Sequence, residues 1–155
     1  MKLTLPILTA ATIFAGSASA FDPDDLQKLK DTGECLRCDL SGADLEGANL
    51  ENAYLYRANL EGANLKNSNL EFSYLHNTNL DGTNLEGANL ENAYMEGANL
   101  EGTNLEGANL ENAVLMGADL SRSNLKDANL ERADMKGAIL CNTTMPDGSV
   151  IYSGC

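Results

Sequence analysis

The sequence predicts an all-β solenoid, a four-sided β-helix, and three observations carry that prediction. From Leu40 to Met145 every fifth residue is apolar, Leu throughout except Met95, Met135 and Met145. The residue two before each centre is small, as at Ala43, Ser68, Thr78 and Cys38. Side chains alternate along extended chain, so each such pair shares one side of the backbone and points inward together. Finally, a longer period overlies the short one: Glu51-Asn52-Ala53-Tyr54-Leu55 returns as Glu71-Phe72-Ser73-Tyr74-Leu75 and Glu91-Asn92-Ala93-Tyr94-Met95, twenty residues apart. Four five-residue units then complete one turn, and equivalent residues stack about 4.8 Å apart. The 22 centres make five and a half turns, a rod of roughly 26 Å.

Residues 1–20 read as a signal peptide. Lys2 precedes an apolar run from Leu3 to Ala15, and Ala18-Ser19-Ala20 supplies the small residues that signal peptidase accepts before Phe21. The run is short for a bilayer core of about 30 Å and holds Pro6, so no stable membrane anchor is expected. Export follows, to a periplasmic or extracellular space, or to the thylakoid lumen if the source is cyanobacterial.

Residues 21–37 form a cap and lead-in. Asp22-Pro23 with Asp24 and Asp25 reads as an N-cap, a first-turn proline and acids at the positive end of a helix dipole. Gly33 ends a helix of about ten residues, too short to stand alone. Its expected task is to cover the first coil, where a solenoid otherwise exposes apolar side chains and unpaired strand edges.

Cys35 and Cys38 follow, with Cys141 and Cys155 at the far end. Redox catalysis, a zinc site and structural disulfides compete for them. A thioredoxin-like CxxC sits at a helix N-terminus after a strand, whereas this one leads into the repeats. A four-Cys zinc site needs both pairs together, and the rod separates them. Structural bridges Cys35 to Cys38 and Cys141 to Cys155, one at each end, are the favoured reading.

Within residues 38–145 the position between the inward pair is mostly Asn or Asp, and the one after the centre is often Glu, so both are expected to face water. Two residues after the centre, from 42 to 137, Gly fills ten positions and Asn five. Those residues tolerate left-handed backbone, which marks a corner. Residues 146–155 form a tail closed by the second bridge.

The units Ala43-Asp44-Leu45-Glu46-Gly47 and Ala48-Asn49-Leu50 resemble the pentapeptide-repeat family, over nearly all of residues 38–145. The lead-in Cys35-Leu36-Arg37-Cys38-Asp39-Leu40 and the tail from Asn142 to Cys155 resemble its exported members. The resemblance implies a right-handed quadrilateral β-helix filled by the central Leu and the small residue.

Composition limits function. At 155 residues the chain has room for one domain, and Trp is absent. Acidic residues number 23 against 10 Lys plus Arg, a net charge of -13. No nucleic-acid partner is expected, since such partners need a basic patch. An unknown protein partner, a basic one among the options, or a cation remains open.

Two surface columns are the candidates. Glu51, Glu71, Glu91, Glu111 and Glu131 stack as an acidic column, either a solubilising face or a dock for a cation or a basic protein. Tyr54, Tyr74 and Tyr94 replace the usual Asn and form an aromatic column, with Tyr56, His76 and Met116 one position across. Such a column is a contact surface or a purely structural stack. His76 is the single histidine, and the sequence sets no Ser, Cys or carboxylate constellation beside it.

No catalytic motif and no cofactor-binding motif is present, so the expected function is a non-enzymatic exported scaffold or protein-interaction module. The alternative is a DNA-mimicking inhibitor of a DNA-binding protein such as gyrase, an activity that the resemblance implies. From Asp39 to Ile139 the net charge is -11, roughly one per 2.4 Å against about 1.7 Å for B-DNA. A target in another compartment weighs against it.

Overall fold

A computed structural model describes residues 21–155, so the signal segment expected at 1–20 lies outside the described residues. The chain opens with helix α1, Pro23–Thr32. Asp22 is its N-cap, the carboxylate accepting the Asp24 N–H at 2.9 Å, and Gly33 ends it with φ 69 while its N–H donates to the Leu29 carbonyl. Leu29 is buried, and Leu26 and Phe21 pack against the same core. The helix is bound to the first coil at its N-terminus. Asp22 N–H donates to the Asp39 carbonyl at 2.9 Å, and Asp39 N–H donates to Oδ2 of Asp25 at 2.8 Å.

From there the backbone winds as a four-sided coil. Parallel bridges join each side to the one twenty residues on, from Glu34 with Tyr54 to Asn124 with Thr144. Each side is so short that one residue carries the pairing. Asn69, for example, donates to the Ala48 carbonyl below at 2.9 Å, while Leu50 N–H donates to the Asn69 carbonyl at 2.7 Å.

Corners are β-turns. Ala53 N–H donates back to the Leu50 carbonyl at 3.0 Å, with Asn52 at φ 58 in the third turn position. A positive φ there favours Gly or Asn. The same angle is imposed on Arg57, Phe72, Arg122, Asp127 and Arg132, with φ between 55 and 60. Corner geometry therefore does not follow residue preference alone. Hydrogen bonds to the adjacent coils, such as Phe72 N–H to the Glu91 carbonyl at 3.1 Å, hold the turn whatever its side chain.

The interior is a stack of fully buried Leu, among them Leu60, Leu80 and Leu100, against Ala93, Ala113 and Ala118. Burying one Leu contributes about 1.5–3 kcal/mol, so repetition substitutes for large aromatic residues. Where the small residue is polar, its hydroxyl is satisfied at most coils. Thr78 donates to the Leu55 carbonyl and Thr103 to the Leu80 carbonyl, both at 2.7 Å, and Ser68 donates to the Leu65 carbonyl at 2.7 Å.

The far end is closed differently. Strands β1 (Thr143–Thr144) and β2 (Val150–Ile151) form an antiparallel hairpin, and Cys141 is bonded to Cys155. Leu130, Met135, Leu140 and Met145 in this last turn are only partly buried. The helix covers its end more completely than the hairpin does.

Candidate interaction surface

Three of the four sides carry an asparagine ladder. On one, Asn69 donates through Nδ2 to Oδ1 of Asn49 at 3.2 Å, Asn89 to Asn69 at 3.2 Å, Asn109 to Asn89 at 3.1 Å and Asn129 to Asn109 at 3.0 Å. Each Oδ1 also accepts the backbone N–H two residues on, as Asn89 does from Glu91 at 3.3 Å. These side chains face outward, as the alternation predicts, with Asn49 and Asn129 at the ends exposed, but Asn69, Asn89 and Asn109 are only partly exposed and link the coils, because the 20-residue stack brings each amide within reach of the next. They are saturated with internal bonds and offer little to a partner.

The fourth side interrupts the ladder with Tyr54, Tyr74 and Tyr94. The rings lie directly above one another, centroids 4.6 Å apart and 5° from parallel for Tyr54 and Tyr74, 5.2 Å and 12° for Tyr74 and Tyr94. Val114 continues the column, bridged to Tyr94. One position across, the His76 ring is stacked beside Tyr74 and Tyr94, with centroids 6.4 and 5.9 Å away, and is tilted at 6.4 Å from Tyr56. The Arg57 guanidinium lies 5.1 Å from the centroid of Tyr56. Leu36, Tyr54, Phe72, Tyr94 and Met116 remain exposed along this face and its margins.

His76 does have a carboxylate beside it. Its Nε2 is 3.0 Å from Oε2 of Glu96, a buried oxygen that makes no well-aligned hydrogen bond, so the contact is an ion pair only when the ring is protonated. The signal was available in the sequence, since position 96 follows 36, 56 and 76 in the same column. His76 and its carboxylate contact lie within an aromatic stack and not beside a nucleophile.

The acidic column borders the aromatic side at the preceding corner, and it is not uniform. Arg132 pairs with Glu111 at 3.4 Å and with Glu131 at 3.1 Å. Glu51, Glu71 and Glu91 have no cationic partner among the described residues. These three flank the three tyrosines. Some carboxylates elsewhere are neutralised: Lys66 pairs with Glu86 at 3.0 Å, Lys126 with Glu106 at 3.9 Å and Arg122 with Glu101, whereas Glu46, Glu61 and Asp81 likewise have no cationic partner among the described residues. The Glu86 carboxylate, hydrogen-bonded and attractive, pushes the Lys66 ammonium above its ordinary value.

Both cysteine pairs are bonded as Cys35–Cys38 and Cys141–Cys155, with Cα atoms 5.2 and 4.9 Å apart. They sit at opposite ends of the rod and take no part in the aromatic side. No helix among the described residues is long and apolar enough to cross a membrane.

The family model for pentapeptide repeats, eight copies long, matches residues 34–71, 68–107 and 103–140. The chain belongs to the pentapeptide-repeat family. A pentapeptide repeat protein from the cyanobacterium Cyanothece is similar to it in structure, with a TM-score of 0.72 and 37% identity over 74% of this chain and 92% of that one. Another from the cyanobacterium Nostoc gives a TM-score of 0.51 and 38% identity over 52% of this chain and 66% of that one. An uncharacterised protein of Synechocystis is 43% identical over 59 residues, 38% of this chain and 36% of that relative's length. The Leu interior, the corners and the Asn ladders of this pentapeptide-repeat chain lie within the matched repeats, and the outward tyrosine column is where its sequence departs from the repeat's usual Asn.

Proposed function

We propose that this pentapeptide-repeat protein is an exported, non-enzymatic interaction module whose contact surface is the tyrosine-bearing side with its glutamate margin. The single observation that supports this most is the break in the ladder. Asn at positions 54, 74 and 94 could continue the bonding of the other three sides, yet each holds a ring that stays partly open to solvent. An aromatic strip on an otherwise acidic rod is the kind of surface that contacts a partner, because it can be desolvated at little polar penalty. Rigidity helps as well: stacked rings have few conformations left to lose on binding. Export rests on the character of residues 1–20 and on the two disulfides, which suit an oxidising compartment.

Against a DNA-like role, an exported protein does not share a compartment with such a target, and Lys66, Lys126, Arg122 and Arg132 break the acidic columns locally, although the rod keeps its net charge. The interaction reading is therefore preferred. Its test is a pulldown from the exported fraction with the wild-type protein and with Tyr54, Tyr74 and Tyr94 together replaced by Asn. Loss of specific partners from the variant supports the proposal; an unchanged set of partners makes the column purely structural.

A further inference from the structure

The tyrosine stack stops at Tyr54, although the fold would allow it to continue. The equivalent position one turn below is Glu34, bridged to Tyr54 in register, and a carboxylate cannot stack. Among the described residues Tyr54 stacks only on Tyr74, and it is 52% exposed, more than Tyr94 at the other end of the stack. Beside it opens a cavity of about 360 Å³ lined by Lys28, Glu34, Leu36, Tyr54 and Tyr56. Leu36 is 58% exposed there, and Lys28 comes from helix α1. The cavity thus combines a half-exposed ring, an aliphatic wall and a second tyrosine, with the exposed Glu34 and Lys28 as its charged lining.

We propose that this slot receives an aromatic side chain from a basic protein segment, which continues the tyrosine stack by one ring while its cationic residues run beside Glu51, Glu71 and Glu91. The proposal rests on the interaction reading above and specifies its partner. Charge complementarity selects the segment: those carboxylates lack cationic partners among the described residues and flank the stack, whereas Glu111 and Glu131 higher in the column are already paired with Arg132. The unpaired carboxylates are therefore concentrated at the end of the column that adjoins the slot. Spacing is consistent. Same-face residues of an extended segment repeat at about 6.6–6.8 Å, so an aromatic-x-Arg-x-Arg segment spans about 13 Å, close to the roughly 14 Å, three turns at about 4.8 Å, that separates the level below Tyr54 from Glu91. A second copy of this chain is the poorer occupant, since each carries a net charge of -13 and would bring its own acids to the same surface.

The probe is a capped hexapeptide, Trp-Ser-Arg-Ser-Arg-Ser, with two controls, one having Ser for Trp and one having Glu for both Arg. Titrations at low salt, followed through the ring and methyl NMR resonances of the folded protein, should shift Tyr54, Tyr56 and Leu36 first. Both controls should bind at least tenfold more weakly. Leu36→Ser and the triple variant Glu51→Gln, Glu71→Gln, Glu91→Gln should each weaken the Trp peptide at least fivefold, and neither disturbs the interior. Equal binding of the three peptides, or shifts centred on the Glu86 or Glu106 corner, overturns the proposal. So does concentration-dependent self-association that fills the slot and disappears in Tyr152→Ser, Tyr152 being 75% exposed at the other end of the rod. Failure here with Tyr-dependent partners still present in the pulldown rejects the slot and its basic segment but leaves the interaction surface standing.

Discussion

Asn109 donates through Nδ2 to Oδ1 of Asn89 at 3.1 Å, and this one oxygen also accepts the backbone N–H of Glu91 at 3.3 Å. A single side chain thereby fixes the corner of its own coil and the position of the coil above. Replacing Asn89 with Ala leaves both donors without that acceptor and removes the donation to Asn69. The expected loss is about 1–3 kcal/mol, read from chemical denaturation followed by circular dichroism. Asn89→Ala as stable as the wild type would show that the ladder is incidental to the stacking of coils.

The tyrosine stack predicts a position dependence. Tyr74 has a ring on each side, whereas Tyr54 has one. Each stacked pair contributes about 0.5–1.5 kcal/mol beyond area burial, and Tyr74 also stacks beside His76, so Tyr74→Leu should destabilise about two to three times as much as Tyr54→Leu. Equal losses at the two sites would mean that buried area, not ring stacking, sets the contribution.

Phe72 occupies a corner at φ 55, a conformation that side chains with a Cβ adopt only under constraint. Left-handed backbone at a non-glycine residue costs about 1–3 kcal/mol, and Gly loses about 0.5–1 kcal/mol through its freer unfolded chain. Release of strain outweighs the added chain entropy. Phe72→Gly should therefore raise the denaturation midpoint, by the equivalent of up to about 2 kcal/mol. A lower midpoint would assign Phe72 a packing role that exceeds its strain.

Acid should loosen the first coil, to which the N-terminal cap is bonded, before the later coils. Asp39 is held below the ordinary carboxylate range, first by the Ser41 hydroxyl at 2.7 Å, then by the Ser41 N–H at 3.2 Å, with Asn59 adding a weaker bond. Its folded pKa is depressed, so the stabilisation is present above the unfolded value near 3.8 and is lost as pH falls through the lower folded value. Amide protection in α1 and the first coil, taken relative to the intrinsic exchange rate at each pH, should fall as the pH drops below about 4, and Asp39→Asn should flatten that dependence. Identical acid profiles for the two proteins would detach the cap from Asp39.

The sequence by itself determined the architecture, because the interior has a single repeating requirement. A Leu at every fifth position and a small residue two before it can be buried together only if the chain turns after each unit, and the 20-residue superperiod sets the number of sides. The alignment of Tyr54, Tyr74 and Tyr94 and the pairing of the four cysteines followed from that count. Stacking then decided what alternation along one strand could not. Asn89 alternates outward yet is tied to Asn69 and Asn109; Arg57 and Phe72 take a glycine-like corner because hydrogen bonds to the adjacent coils hold them there; Arg132 neutralises Glu111 from the adjacent turn, while the Glu91 carboxylate is bonded, among the described residues, only to the neutral amides of Asn92 and Asn109. The reason is physical: along the chain each residue has two neighbours, but in a coil of this pitch it has two more at strand spacing, and those contacts determine whether an outward group is bonded, paired or open to a partner.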